Sequence, residues 1–330
     1  MSLRQDSSTV ARMGVVAALT AFAVGALTAL QSRINGELAD VTDSGVQAAL
    51  VSFGTGWILL SAILILAPGM RRGLGDVVRA VRVGDLRWWQ VLGGLLGGFF
   101  VAVQSATVPL VGVAVFTVAV VAGQVTNSIV VDRLGLGPAG RQSITPTRVI
   151  AAILAVGAVI VAVSDRLSGA VEGSVLAVVA AVVAGLAIAV QQAINGRVGA
   201  AARNPWTAAW VNFTLGTMML SAALGLAWGL TEFDPGAMPP GPWWIYLGGT
   251  IGVIFIAAAA WVVQRLGVLL FALLTITGQL AGALLLDAVA PAEGVYVHLT
   301  LVLGVVLAGL AVAVGSMSTW GRRRQSLRGH

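Results

Sequence analysis

The sequence has no cysteine and no lysine. Without cysteine there is no disulfide, no thiolate metal site and no Cys nucleophile. Charge is scarce. Only 10% of residues are charged, against roughly a quarter in soluble domains. His298 and His330 are the two histidines. No H-E-x-x-H motif and no paired aspartates occur within the apolar stretches, so zincin-type and aspartyl intramembrane proteolysis have no residues to use. Ser164-Asp165 and Ser221 have no plausible histidine partner. The glycine-rich stretches lie within apolar runs and lack a P-loop lysine, which excludes a nucleotide cradle. No enzyme activity and no cofactor or metal is expected.

What is present is apolar. The chain is 58% hydrophobic with mean hydropathy +0.95. Apolar runs recur at the length a bilayer core needs, about 20 residues. The lipid bilayer is therefore the first expected partner. All basic side chains are arginine, and with abundant Ala, Val and Gly this reads as a GC-rich bacterial coding sequence. The net charge of +6 does not point to nucleic acid. The arginines sit in short loops between apolar runs.

Ten spans are expected. Five cover 13–36, 45–68, 88–109, 111–132 and 147–165; five more cover 173–197, 205–230, 243–264, 268–288 and 296–317. The run from Met13 lacks an A-x-A cleavage site and is read as a first membrane helix. Arginine placement sets the orientation. With both termini cytoplasmic, every arginine except Arg33 and Arg166 falls inside, and most acids fall outside. The segments are a cytoplasmic stretch 1–12, a first five-helix repeat 13–165, an external linker 166–172, a second repeat 173–317 and a basic cytoplasmic tail 318–330. Between Gly69 and Arg87, valines among arginines suggest a short interfacial helix. Trp88-Trp89 and Trp243-Trp244 each open a span at headgroup level.

The chain matches itself. Gln31, Ile34, Asn35 and Gly36 meet Gln191, Ile194, Asn195 and Gly196 at an offset of 160. Phe53 and Gly56 meet Phe213 and Gly216 at the same offset. A shorter loop changes the offset to 155. Trp88-Trp89, Gly93-Gly94, Gly97, Phe100, Phe116, Gly123-Gln124 and Asp132 then meet Trp243-Trp244, Gly248-Gly249, Gly252, Phe255, Phe271, Gly278-Gln279 and Asp287. Five spans is an odd number, so the second half should enter the membrane from the opposite face. That predicts an all-α polytopic membrane protein of ten transmembrane helices in inverted-topology five-helix repeats. Such repeats suit alternating access about a midplane site.

A-L-Q-S-R-I-N-G-E-L early, V-Q-Q-A-I-N-G-R-V midway and the two G-Q…D segments resemble the YdcZ-like branch of the drug/metabolite transporter superfamily. The resemblance implies a ten-helix carrier of small polar or amphipathic solutes in the bacterial inner membrane, commonly an exporter. It names no substrate. A small-molecule substrate is the expected partner, and a homodimer is admitted. The alternative from another class is a non-transporting receptor or scaffold.

Polar residues inside apolar helices are costly and mark candidate sites. Gln31 and Asn35 share one helix face toward the external end, and Gln191 and Asn195 share one toward the cytoplasmic end. They read as two walls or gates of one path, or as helix-to-helix hydrogen bonds. Gln124 and Gln279 fall near the bilayer centre and should face each other across the pseudo-two-fold axis. With Asn127 and Thr275 they form the preferred substrate site; Thr126 and Thr277 add hydroxyls. Gln104, Ser105, Asn212 and Thr214 are further lining candidates. Glu37 is the proton-coupling candidate, with an ion pair to Arg33 as the competing role. Gly93, Gly94, Gly97 and Gly98, and Gly304 with Gly309, are spaced for close helix crossing.

Overall fold

The computed structural model describes residues 3–138, 140–168, 174–230, 241–291 and 296–326. Side chains at 3–12, 163, 165–168, 260, 263–265, 267–270 and 315–326 are outside that description. Of the linker expected at 166–172, residues 166–168 continue α5 and 169–172 fall outside the described residues; of the basic tail, 318–326 are described without side chains and 327–330 fall outside.

The described residues form helices and turns. In chain order these are α1 (Leu3–Thr42), α2 (Gly45–Leu66), α3 (Pro68–Val83), α4 (Gly93–Leu134) and α5 (Pro146–Ser168). The second half holds α6 (Ser174–Ala202), α7 (Pro205–Leu230), α8 (Gly248–Val289) and α9 (Leu299–Ser326). Several boundaries follow from local chemistry. Ser44 caps α2, its hydroxyl accepting from Gln47 N–H at 3.2 Å. Proline opens α3, α5 and α7, where a missing N–H is harmless. Gly84 ends α3 with φ 84°, a left-handed cap that suits glycine.

The two tryptophan pairs open their segments as 3-10 turns and not as α-helix. Trp88–Leu92 and Trp243–Tyr246 are short 3-10 turns that lead into α4 and α8. The loop from Gly69 to Arg87 contains a real amphipathic helix, α3. It buries Met70, Gly73 and Val77 and leaves its arginines toward solvent. At the N-terminus the helix begins at Leu3 rather than near residue 13.

The expected third and fourth spans are one helical segment with a break. Gly112 sits at φ 80°, ψ 165° inside α4, a conformation essentially open to glycine alone. The chain folds back there. Phe100 and Phe116 would lie about 24 Å apart along an unbroken helix, yet their ring centroids are 5.9 Å apart. The matching pair in α8, Phe255 and Phe271, lies at 6.1 Å. Both 42-residue segments are thus folded back on themselves.

The halves interlock instead of standing side by side. Helix α1 packs on α8, α6 on α4, α5 on α9 and α2 on α7. Glycine makes the tightest crossings. A Cβ at Gly123 or Gly185 would overlap the facing backbone of α6 or α4, and one at Gly25 or Gly278 the facing backbone of α8 or α1. These are equivalent crossings in the two halves. Gly304 packs in the same way on Ala158 and Ala162, whereas Gly309 has nothing within 4 Å. Small side chains between helices replace the hydrophobic drive that lipid cannot supply.

Gly123→Ala is expected to cost about 1–3 kcal/mol through overpacking, read as a lower melting temperature in detergent. Gly54→Ala, where nothing lies within 4 Å, serves as the control and should not lower it.

Candidate functional site

The two copies of the Q-x-x-x-N motif flank a buried aromatic contact. Phe53 on α2 and Phe213 on α7 are equivalent residues, with ring centroids 4.9 Å apart and planes tilted by 33°. Each ring lies where a Cβ of the other half's glycine would be, Phe53 on Gly216 and Phe213 on Gly56. Both rings are buried.

On one side of this pair, α6 presents Gln191 and Asn195. Both side-chain amides donate to Asn212 Oδ1 on α7, each at 2.9 Å. Asn195 Oδ1 lies against Gly93, and the Gln191 amide against Gly97, in the first turn of α4. Gly97 also borders Phe53. On the other side the arrangement repeats. Asn35 Oδ1 lies against Gly248, and Gly252 borders both Gln31 and Phe213. The asparagine of each half therefore meets the glycine that opens α4 or α8 of the other half. A larger residue at either glycine would displace the amide.

The copies differ in hydrogen bonding. Asn212 has Ser52 as its counterpart, which is too short to bridge two amides. Asn35 Nδ2 donates instead to Gln104 Oε1 at 2.8 Å, and Gln104 Nε2 donates to Ser32 Oγ at 2.8 Å. Asn35 is fully buried, yet its Oδ1 accepts no hydrogen bond. Gln31 makes no hydrogen bond and is half-buried. One cluster gathers two donors on a single acceptor, and the other leaves Asn35 Oδ1 and the Gln31 amide without a hydrogen bond.

The glutamines expected to face each other do not bond to each other. Gln124 Nε2 donates to Gln192 Oε1 on α6 at 2.9 Å. Neighbouring Gly123 seats α6 on α4, and Gly278 seats α1 on α8. Each glutamine therefore sits at a crossing with the opposite half. Asn127 Nδ2 donates to the Leu186 carbonyl at 2.7 Å, a bond between helices. Thr277 bonds back to the Leu273 carbonyl at 2.8 Å. Thr275 and Thr126 are shielded and their hydroxyls find no partner. Gln279 is half-buried beside Gly25 of α1.

Of the other expected residues, Gln104 and Asn212 belong to the amide clusters. Thr214 Oγ1 accepts from Trp57 Nε1 at 3.0 Å. Ser105 is buried with no partner. Glu37 pairs with Arg33 at 2.6 Å, one helical turn away.

Asp287 is the surprise. It lies in the last turn of α8 and is 1% exposed. Its Oδ1 accepts from Val113 N–H at 3.0 Å and its Oδ2 from Ala114 N–H at 2.7 Å. It caps the second limb of α4 just after the Gly112 break. Its counterpart Asp132 pairs with Arg148 at 2.5 Å. The only sequence signal was the duplication itself, which marked both acids but not their partners.

An all-helical fold, apolar helices long enough to cross a bilayer and uncharged amides inside it define a multi-span membrane protein built from two matching halves. The chain belongs to the YdcZ family, whose model is described as "Putative inner membrane exporter, YdcZ" and matches it twice, over residues 16–161 and 176–314. One similar relative is the inner membrane protein YdcZ of Escherichia coli (strain K12), 29% identical over 110 residues. That stretch is 33% of this chain and 70% of the relative, so the relative is about half as long.

Asp287→Ala would leave the Val113 and Ala114 N–H groups without this cap, at about 1–3 kcal/mol each. The loss should appear as a lower unfolding midpoint, with Asp287→Asn intermediate. Asn212→Ala should cost about 1–3 kcal/mol for the two stranded amides; Ser52→Ala should cost less in the same assay.

Proposed function

We propose that this protein is a secondary exporter that moves a small polar or amphipathic solute by alternating access. The observation that carries the reading is the pair of amide clusters on either side of the Phe53–Phe213 contact. The family description supports export across the inner membrane.

In this reading the fold-backs at α4 and α8 give ten spans, with α3 lying at the interface. The two halves enter the membrane from opposite faces, with both termini in the cytoplasm, as the arginine bias supports. The Phe53–Phe213 pair is the plug between two half-paths. Gln31 and Asn35 line the external half-path, and Gln191 and Asn195 line the cytoplasmic one. The Gln191–Asn195–Asn212 cluster, hydrogen-bonded across from α6 to α7, is the closed side. The open acceptor of Asn35 and the open amide of Gln31 form the side ready for solute. Rocking one half against the other exchanges these states.

The central residues take a different role. Gln124 and Asn127 hold α4 to α6, and Gln279 and Thr275 lie at the matching α8–α1 crossing. They brace the moving parts. Glu37 is paired to Arg33, which supports its structural role over proton coupling. The lining is neutral, which favours uncharged or zwitterionic solutes that both donate and accept hydrogen bonds.

The absence of cysteine makes the test clean. Single cysteines at Gln31 and Gln191, probed in oriented membranes with an impermeant maleimide, should label from opposite faces. Labelling of both from one face would overturn the two-gate reading.

A further inference from the structure

A cavity of about 430 Å3 opens beside α3, away from the amide clusters. Its walls are α3, the turn after it, Pro138 and the C-terminal end of α6. Three arginines line it: Arg79, Arg197 and Arg203. Two acids, Asp76 and Asp85, line it too. Arg203 pairs with Asp76 at 3.0 Å, but its side chain is 80% exposed, so the pair holds the guanidinium weakly. Arg197 is fixed differently. Its Nε donates to the Leu136 carbonyl and its Nη2 to the Gly135 carbonyl, each at 2.7 Å. Among the described residues no carboxylate pairs with Arg79 or Arg197.

The floor and lip of this cavity are apolar. Leu86 is buried in the floor, and Val83 at the rim is 65% exposed. Val78 and Trp88 nearby are also exposed. Exposed tryptophan beside arginine is the arrangement of the membrane headgroup layer. Helix α3 buries Met70 and Val77 and turns Arg72, Arg79 and Arg82 outward, the pattern of a helix lying in that layer.

We propose that this cavity binds the headgroup of an anionic phospholipid. The phosphate lies between Arg79 and Arg197, with Arg203 at the mouth. The acyl chains leave across Val83 and Val78 toward the bilayer. A free phosphate would use the arginines but not the apolar lip, which is why the lipid is the assigned ligand. The site stands apart from the amide clusters and does not depend on the transport reading.

The test uses the purified full chain, delipidated in detergent. Its melting temperature is titrated with short-chain phosphatidylglycerol, short-chain phosphatidylcholine and inorganic phosphate, and native mass spectrometry checks for bound lipid. Phosphatidylglycerol should half-saturate at a concentration about tenfold lower than phosphatidylcholine, a difference of about 1.4 kcal/mol. The R79Q/R203Q double variant should lose that preference, and D85N should strengthen it. Inorganic phosphate should give no comparable shift. Equal response to the two lipids overturns the proposal, as does a preference unchanged in R79Q/R203Q. Stabilisation by phosphate alone, matching phosphatidylglycerol, overturns the lipid assignment. If R79Q/R203Q does not fold, D85N decides: unchanged or weaker phosphatidylglycerol binding overturns the site.

Discussion

Close backbone approach between the two halves is the constraint on which the structure depends. In a bilayer the tails are as apolar as leucine, so burial alone cannot hold helices together. This chain uses glycine to bring backbones within reach. Gly25 and Gly278 seat α1 on α8, and Gly123 and Gly185 seat α6 on α4. At Gly93 and Gly248 the same device admits an asparagine side chain from the other half. Once the backbones are that near, polar side chains can bridge them. The amide clusters are therefore consequences of the packing as much as candidates for binding.

The duplication has a counterpart in three dimensions, and the places where symmetry fails are informative. The phenylalanine contact is symmetric, because both partners are apolar and of one kind. The amide clusters are not. Asn212 gathers two donors, whereas Ser52 cannot, and Gln104 fills the gap from α4. The two aspartates are not symmetric either. Asp132 meets an arginine, and Asp287 meets backbone N–H groups. The matched halves thus carry unmatched polar contacts, with two donors on one acceptor on one side and a relay through Gln104 on the other. The half-length relative fits the same plan of one unit used twice.

Much of the fold was legible in the sequence, for physical reasons. Long apolar runs admit little but helices in lipid, and matched Gln, Asn, Asp and Trp-Trp residues exposed the duplication. The break at Gly112 was legible to within a few residues, since the expected spans 88–109 and 111–132 part beside it, although the turn there is a single glycine with no polar loop. The site was partly legible. Gln31, Asn35, Gln191 and Asn195 stood out, as did Gln104 and Asn212 that bond to them, but the facing glycines did not, since Gly93 and Gly248 looked like ordinary packing residues. For the glutamine pair, depth along a helix gives height in the membrane but not azimuth, and Gln124 is turned toward Gln192. Asp287 was missed as a cap because its partners lie 174 and 173 positions away.

That separation has a consequence in time. As the chain is made, the Val113 and Ala114 N–H groups enter the membrane with the first half. The carboxylate that satisfies them is added near the end of the second. Through most of synthesis the second limb of α4 lacks this partner, and the first half is an unfinished object in lipid. The late residue Asp287 serves as a latch on early work, so neither half is a complete unit until the other has been inserted.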